Sequence, residues 1–299
     1  MTTEATLRAD IVEVGRRMYA RGYTASNDGN ISARLDSDRL LMTPKSVCKG
    51  FMSADMMCVT DLEGRKLQGD RDPSSEMLMH LEVYRQRPDV RAVVHAHPPI
   101  ATGFAVAGIP LTRAVLAEVL TTLGSIPIAE YATPSTRELP EAVRKYIRAH
   151  DGMLLANHGA LTVGIDLYSA YFKMETIEHF ANISLVARLL GRENVLSRDE
   201  VVRLQGLRGT YGIKAPAPIC LDPDEAEAGR SAPDGGAIND GVACQVVDAP
   251  TGRGLRLVPG FPEAAGQGRS EGSGDEAEIR LTYRELSALI EDAIRSLRS

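Results

Sequence analysis

The 299-residue sequence predicts an α/β fold in which helices cover a sheet, because short apolar runs alternate irregularly with longer amphipathic stretches. The apolar runs predict strands at residues 39–43, 56–60, 91–95, 126–129 and 153–156. The amphipathic stretches predict helices at residues 74–86, 138–149 and 166–190. Hydrophobic residues make up 43% of the chain, which is enough to bury one full core and leave an appendage.

The first element is an amphipathic helix over residues 5–21. Its apolar positions recur at helical spacing, and the pattern stops at Gly22. They are Leu7, Ile11, Val14, Met18 and Tyr19. This helix opens a domain that we place at residues 1–214.

The composition changes after residue 214. Residues 215–279 are rich in Pro, Gly, Ala, Asp and Glu and hold too few apolar residues to bury a core, which predicts a flexible linker. Residues 280–299 then predict an amphipathic helix, in which Thr282 caps the first turn together with Glu285. Its apolar stripe comprises Leu286, Leu289, Ile290, Ala293, Ile294 and Leu297.

Charge and cysteine usage exclude several classes of function. A net charge of −6 without clustered Lys and Arg argues against nucleic-acid binding. The four cysteines are widely spaced, so the sequence predicts reduced thiols rather than disulfides or a thiolate zinc site. No signal peptide or membrane span is evident, and a cytoplasmic protein without membrane partners is expected.

Three histidines predict a metal site. His95 and His97 stand two positions apart at the end of an apolar run, so both imidazoles share one face of a strand. His158 ends a second apolar run and is followed by Gly159, which lets a backbone or ligand approach closely. Three neutral imidazoles leave a coordination position open, and zinc is the default ion, with another divalent metal as the alternative. The pair on its own would equally suit two hydrogen-bonded histidines at a strand end.

Further motifs in the same chain match one known family. They are Ser-Asn-Asp-Gly-Asn-Ile-Ser at residues 26–32, Thr-Pro-Lys-Ser at 43–46, Pro-Ser-Ser-Glu at 73–76 and Tyr-Ala-Thr-Pro-Ser-Thr-Arg-Glu-Leu at 131–139. With the three histidines, they make the chain resemble the class II aldolase and adducin-head family, from about Arg8 to Lys214. The resemblance implies a three-layer α/β/α arrangement around a mostly antiparallel sheet. It also implies a fourfold-symmetric homotetramer with active sites at the subunit interfaces.

The resemblance assigns Glu76 as the catalytic carboxylate, which moves a proton at the enediolate carbon of a 1-phosphorylated ketose. On spacing alone, Glu76 would suit an ordinary glutamate in the first turn of a helix. Glutamate here is typical of the aldolase branch, whereas the related pentulose-phosphate 4-epimerases have aspartate.

A phosphate site is expected beside Glu76. Ser74 and Ser75 at a helix start form a plausible anion site with the turn at Gly29 and Asn30, although Ser74 also suits a simple helix cap. A second phosphate-binding pair of the family corresponds to Lys45 and Ser46. Glycine is common at the second position of that pair, so Ser46 departs from the family, while Lys45 adds a positive charge.

The aldehyde end of the site departs from the family more clearly. The tyrosine that follows an Ile-Pro pair in the fuculose-phosphate enzyme is missing after Ile109–Pro110, so that Glu118 or a water would replace it. Tyr211, in Thr-Tyr-Gly at residues 210–212, matches the second aldehyde-side tyrosine but equally suits a surface aromatic. Of the other histidines, His80 is predicted to support Glu76 or the structure, His179 to pack or form an interface, and His150 to be solvated.

The resemblance, together with the three histidines, implies a zinc-dependent lyase. The resemblance implies cleavage of L-fuculose 1-phosphate, or of a related deoxyketose 1-phosphate such as L-rhamnulose 1-phosphate, to dihydroxyacetone phosphate and lactaldehyde. A 4-epimerase, a dehydratase or a sugar-acid phosphate decarboxylase on the same fold is the alternative, and a non-catalytic adducin-head-like module is the alternative of another class. The C-terminal helix resembles the encapsulation peptides of bacterial microcompartments, which predicts a shell protein as partner. It would alternatively dock on the catalytic domain or pair with other copies.

Overall fold

The computed structural model describes residues 3–213 together with Ala217 and Ile219. The predicted helix at residues 280–299 and all but two residues of the predicted linker at 215–279 therefore lie outside the described residues. Within the described part, no helix has the length and apolar character needed to cross a membrane.

Eight strands form one sheet in the order β4-β3-β2-β1-β5-β8-β7-β6. The strands are β1 (Asn30–Arg34), β2 (Arg39–Met42), β3 (Cys58–Asp61), β4 (Lys66–Gln68), β5 (Ala92–Ala96), β6 (Ile128–Ala129), β7 (Gly152–Leu155) and β8 (Gly159–Gly164). All neighbouring pairs are antiparallel except β6 and β7. The sheet is thus mostly antiparallel, as the family resemblance implies.

Seven α-helices cover the sheet within the described residues. They are α1 (Glu4–Ala20), α2 (Met77–Gln86), α3 (Pro99–Val106), α4 (Ala117–Thr122), α5 (Glu138–Ile147), α6 (Leu167–Leu189) and α7 (Arg198–Leu207). Short 3₁₀ turns lie at Lys49–Phe51 and Ala54–Met56. The predicted helix at residues 5–21 is confirmed as α1, which buries Ile11, Val14 and Met18.

Two apolar cores lie on opposite faces of the sheet and give the three-layer arrangement. Side chains of α1, α3 and α6 form one core with Val94, whereas α2 and α5 form the other with Val93. Neighbouring residues of one strand therefore belong to different cores, because successive side chains alternate across a sheet. The predicted α/β class with helices covering a sheet is confirmed.

Several elements differ from the sequence-based prediction. β1 and β8 were missed because polar residues or flanking glycines interrupt their apolar pattern, and β4 was missed because all three of its residues are exposed. α3, α4 and α7 are short and were also missed. The predicted strand at 126–129 contains only Ile128–Ala129, and the predicted helix at 74–86 begins at Met77.

The register of the central strands places the predicted motifs together. β5 lies between β1 and β8, with Asn30 opposite His95 and Ala96 opposite Ala160. The motifs at residues 26–32, 95–97 and 158–159 therefore meet at one end of the sheet.

Candidate metal centre and active site

The three predicted ligand histidines converge at this end of the sheet. His95 is the fourth residue of β5, His97 follows the strand, and His158 lies in the tight turn that joins β7 to β8. The turn is closed by a hydrogen bond from the His158 amide to the Leu155 carbonyl, with Asn157 in the left-handed region at φ 56°. The ligands thus come from two neighbouring strands of a rigid sheet.

The spacing of the imidazoles fits one metal ion. One ring nitrogen from each histidine lies within 4.8 Å of the others, and Nε2 of His95 is 3.1 Å from Nε2 of His97. Tetrahedral zinc with nitrogen ligands at about 2.0–2.1 Å separates those nitrogens by roughly 3.3 Å. Nδ1 of His95 donates a hydrogen bond to the Ala160 carbonyl at 2.9 Å, which leaves Nε2 of this ring available for a metal.

Glu76 lies against the same cluster, at the residue that precedes α2. Its Oε2 is 3.2 Å from Nε2 of His95, and its Oε1 is 3.1 Å from Nε2 of His158. Burial raises the pKa of this carboxyl, but His95 and His158 outweigh burial and hold the pKa well below its usual range. Glu76 is therefore an ionised carboxylate that can accept a proton beside the metal position.

The surroundings of the histidines keep His97 neutral. Burial, followed by the neighbouring His95 and His158, lowers the pKa of His97 to about 3. Burial alone would also lower the pKa of His95, but the facing Glu76 carboxylate raises it. Asp28 places Oδ2 3.5 Å from Nδ1 of His97. Sequence reasoning missed Asp28, although it lies within the matched motif at residues 26–32.

Asn30 and His80 lie behind the carboxylate. Nδ2 of Asn30 donates to Oε2 of Glu76 at 2.7 Å, and Oδ1 of Asn30 contacts Nε2 of the fully buried His80. The Asn30 side-chain amide is thus bonded to Glu76 and His80, while the predicted phosphate contact at the turn of Gly29 and Asn30 stays a prediction. His80 therefore contacts Glu76 through Asn30, a position that suits the predicted role of His80 in supporting this carboxylate.

The segments predicted to bind phosphate lie side by side. The Lys45 amide donates to the Asp72 carbonyl at 2.9 Å, and the Ser74 amide donates to the Thr43 carbonyl at 3.2 Å. The side chains of Lys45, Ser46 and Ser75 are exposed, whereas Ser74 is buried and accepts the Glu76 amide at 3.2 Å. These two segments are thus held together, and Ser74 joins them to Glu76.

Backbone conformation explains two residues of these loops. Gly29 has φ 71°, and a Cβ at this position would lie 2.9 Å from the His95 carbonyl oxygen, so only glycine fits without displacing β5. Ser46 has φ 58°, a conformation that favours glycine. The glycine common in the family at this position is therefore the residue that the turn itself favours.

A buried lysine joins the two loops, and sequence reasoning missed it. Lys49 is 2% exposed, and its Nζ donates to the carbonyls of Asn27 at 3.1 Å and Val47 at 2.6 Å. Burial lowers the pKa of Lys49 to about 8, against the raising effect of nearby Cys48, Asp28 and Glu76. No local pattern distinguishes this lysine from a surface one, because its burial depends on α1 packing over residues 49–51.

Other predicted residues lie elsewhere. Tyr211 follows α7, which packs on α4, and its side chain is 62% exposed. Glu118, in the first turn of α4, is also exposed. The prediction that His150 is solvated is wrong: it is 1% exposed, because the turn before β7 folds inward and its Nδ1 bonds the Ser125 carbonyl. His179 is an exposed residue of α6 at the rim of a cavity of about 510 Å³.

Residues 9–185 match the family described as class II aldolase and adducin N-terminal domain. The 3-oxo-tetronate 4-phosphate decarboxylase of Pectobacterium atrosepticum is 31% identical over 210 residues, covering 68% of this chain and 94% of the relative. The L-fuculose phosphate aldolase of Methanococcus maripaludis is 32% identical over 177 residues, covering 59% of this chain and 95% of the relative.

Solved structures show the same fold. YgbL from Klebsiella pneumoniae superposes with a TM-score of 0.64 at 30% identity, covering 68% of this chain and all of that one. An L-fuculose 1-phosphate aldolase superposes with a TM-score of 0.63 at 30% identity, covering 67% of this chain and 94% of that one.

Proposed function

Because this chain belongs to the class II aldolase and adducin N-terminal domain family and is an enzyme of the lyase type, we propose that it is a metal-dependent aldolase of L-fuculose 1-phosphate or a related deoxyketose 1-phosphate. L-Rhamnulose 1-phosphate is such a substrate. The products are dihydroxyacetone phosphate and lactaldehyde. The observation that carries the proposal is the Glu76 carboxylate between His95 and His158, two of three imidazoles that converge at metal-ligand spacing.

His95, His97 and His158 would hold the metal, and zinc suits three neutral nitrogen ligands. Bound there, a divalent ion supplies a Lewis acid for the carbonyl and adjacent hydroxyl oxygens of the substrate. A Schiff-base lysine is then not required.

Glu76 carries the proton transfer. In the cleavage direction, the hydroxyl of the carbon that becomes the aldehyde releases its proton to water as the carbon–carbon bond breaks. The electron pair remains on the carbon that becomes part of dihydroxyacetone phosphate, and the Glu76 carboxyl, after taking up a proton from water, delivers it to that carbon. In the condensation direction the carboxylate removes the same proton. Its burial and its contact with two imidazoles fix where it can act.

The phosphate group would be bound beside Glu76. It would contact the backbone around Gly29, the segment of Ser74 and Ser75, and the exposed Lys45 and Ser46. Backbone hydrogen bonds between residues 43–45 and 72–74 support this, because they hold two of these segments side by side. The Lys49 ammonium beneath them adds positive charge. Anchoring the phosphate there fixes the substrate's reacting carbon relative to the carboxylate.

Decarboxylation of 3-oxo-tetronate 4-phosphate is a second candidate function. This β-keto acid loses carbon dioxide and leaves the same three-carbon enediolate, which is protonated to dihydroxyacetone phosphate at the same carbon. The reaction needs no proton donor at an aldehyde oxygen. Decarboxylation is favoured by the missing tyrosine after Ile109–Pro110 and by relatives with this name at 31% and 32% identity.

One assay separates these candidates. The purified protein is incubated with L-fuculose 1-phosphate, L-rhamnulose 1-phosphate and 3-oxo-tetronate 4-phosphate, with and without a chelator, and both products are measured. Chelator-sensitive formation of lactaldehyde and dihydroxyacetone phosphate supports the aldolase. Dihydroxyacetone phosphate with carbon dioxide supports the decarboxylase, and conversion that survives removal of all metal contradicts both.

A homotetramer is part of the proposal. The Tyr211 side chain is exposed on its own subunit, and in such a tetramer it would serve the aldehyde end of a neighbouring subunit's site. Sedimentation at the assay concentration tests this, because a fully active monomer would contradict it. Tyr211→Phe should then lower turnover without loss of metal.

We also propose that residues 280–299 bind a microcompartment shell protein, so that the enzyme acts inside such a compartment in the cytoplasm. In the predicted helix, the apolar residues from Leu286 to Leu297 would share one face, and such a face suits a groove on a partner protein. Confinement would suit a reactive aldehyde product. Residues 276–299 fused to a fluorescent protein should label compartments as spots; diffuse fluorescence contradicts the idea.

A further inference from the structure

A chain of buried polar side chains runs behind Glu76. It comprises Tyr84, Ser32, His80 and Asn30 and ends on the carboxylate. Tyr84 and His80 project from α2, while Ser32 and Asn30 are alternate residues of β1 that face this helix. All four are nearly or completely buried, with exposures from 0% to 3%.

The donors and acceptors of this chain follow from its two ends. At the inner end, Nδ2 of Asn30 donates to Oε2 of Glu76 at 2.7 Å. Oδ1 of Asn30 therefore faces His80, and Nε2 of His80 must carry the proton that bonds it. His80 stays neutral because burial, together with the nearby His95, lowers its pKa to about 3.

The outer half of the chain is fixed in the same way. A neutral His80 protonated at Nε2 accepts at Nδ1, so the Ser32 hydroxyl, at 2.7 Å, donates to it. The Ser32 oxygen then accepts from the Tyr84 hydroxyl at 2.9 Å. Burial raises the pKa of Tyr84, which keeps that hydroxyl protonated, and the Arg34 guanidinium lies 4.7 Å from the centre of its ring.

We infer that Tyr84, Ser32 and His80 are positioning residues that lock the Asn30 amide with its nitrogen toward Glu76. A flipped amide would place Oδ1 against the carboxylate oxygen and Nδ2 against Nε2 of His80. The outer end excludes that flip: among the described residues the buried Tyr84 hydroxyl bonds only the Ser32 hydroxyl, so Tyr84 donates to Ser32, Ser32 donates to Nδ1 of His80, and the His80 proton stays on Nε2. The chain thereby holds Glu76 between His95 and His158. This inference rests on the proposed role of Glu76, and it assigns the Asn30 amide to the carboxylate rather than to phosphate.

The test uses a partial reaction that needs no aldehyde. The holoenzyme is incubated with dihydroxyacetone phosphate in D₂O, and exchange of its carbon-bound proton is followed by NMR, with kcat and KM for the exchange determined separately. Ser32→Ala removes the donor to His80 and should lower kcat about tenfold or more, with KM and bound zinc unchanged. Ser184→Ala, at an equally buried serine of α6, is the matched control and should behave as wild type.

A double-mutant cycle tests whether these residues act as one chain. His80→Phe removes the donor to Asn30, so adding Ser32→Ala to it should cause no further loss of kcat. Additive losses would overturn the inference, as would wild-type kcat in Ser32→Ala or a fall in activity that matches a loss of zinc.

A crystal structure of Ser32→Ala gives a readout that does not depend on activity. We expect the Glu76 carboxylate to leave its position between His95 and His158, and an unchanged carboxylate would overturn the inference. If the wild-type holoenzyme exchanges no proton, the proposed function fails, and the positioning role is then decided by this structure.

Discussion

Gly159→Ala should weaken metal binding without touching a ligand. Gly159 lies where β8 begins, and a Cβ there would be 2.5 Å from the Ala96 carbonyl oxygen and 2.6 Å from Cδ2 of His97. Carbon atoms in contact are ordinarily about 3.5–4.0 Å apart, so the His97 ring must retreat by roughly 0.9 Å. The Ala96 carbonyl cannot move as easily, because Ala96 and Ala160 are paired between β5 and β8.

A displacement of this size exceeds the tolerance of about 0.2 Å for metal–ligand distances. We expect zinc affinity to fall at least about 10- to 100-fold, the usual effect of disturbing a ligand's support. That change corresponds to roughly 1.4–2.8 kcal/mol of binding free energy.

The assay is competition for zinc with a chromogenic chelator at equilibrium, together with thermal unfolding of the zinc-free protein. Gly206→Ala is the control, because a Cβ at this α7 position would meet nothing within 4 Å among the described residues. It should leave zinc affinity unchanged and stabilise the helix by up to about 1 kcal/mol. Wild-type zinc affinity in Gly159→Ala would refute the placement of His97 as a ligand.

Other variants test the remaining parts of the site. His95→Ala should lose both zinc and turnover; stoichiometric zinc in the purified variant would show that the ligand set is wrong. Glu76→Gln should keep zinc and phosphate binding but lose about 10² to 10⁴ in kcat, so near-normal turnover would remove Glu76 from the mechanism. Lys49 has its folded pKa near 8, below the unfolded value, so the unfolded chain binds more protons above pH 8. The free energy of unfolding of wild type minus that of Lys49→Met, measured by chemical denaturation, should therefore rise between pH 8 and 10. A difference that does not change with pH would contradict the lowered pKa of a buried Lys49. Ser46→Gly should stabilise the protein by up to about 1 kcal/mol by relieving its left-handed conformation, whereas a loss of stability would show that the turn does not strain serine.

The sequence predicted the residues that meet at the site better than it predicted the elements that carry them. His95 ends a long apolar run, so both the strand and its functional end were visible. β1 was not, because Asn30 and Ser32, which face the Glu76 side, alternate with its apolar residues and leave no continuous apolar run. The polar residues that hid this strand are the ones that support the carboxylate.

Contacts between distant segments escaped prediction for a different reason. Lys49 is buried by α1, and Asp28 approaches His97 only because β1 and β5 are paired. His150 was misread for the same reason, since a polar residue at a turn looks solvated until the turn is seen to fold inward. Local spacing carries no information about such pairings.

The position of β5 inside the sheet has a consequence for folding. β5 is hydrogen-bonded to β1 and β8 on either side and is buried along its whole length, so its amides should be among the last to exchange with solvent. An ion shared by His95 and His158 would also cross-link two points of the chain that are 63 residues apart (158 − 95), reducing the entropy of the unfolded state. Removing the ion with a chelator should then lower the melting temperature of this protein as well as abolish its activity.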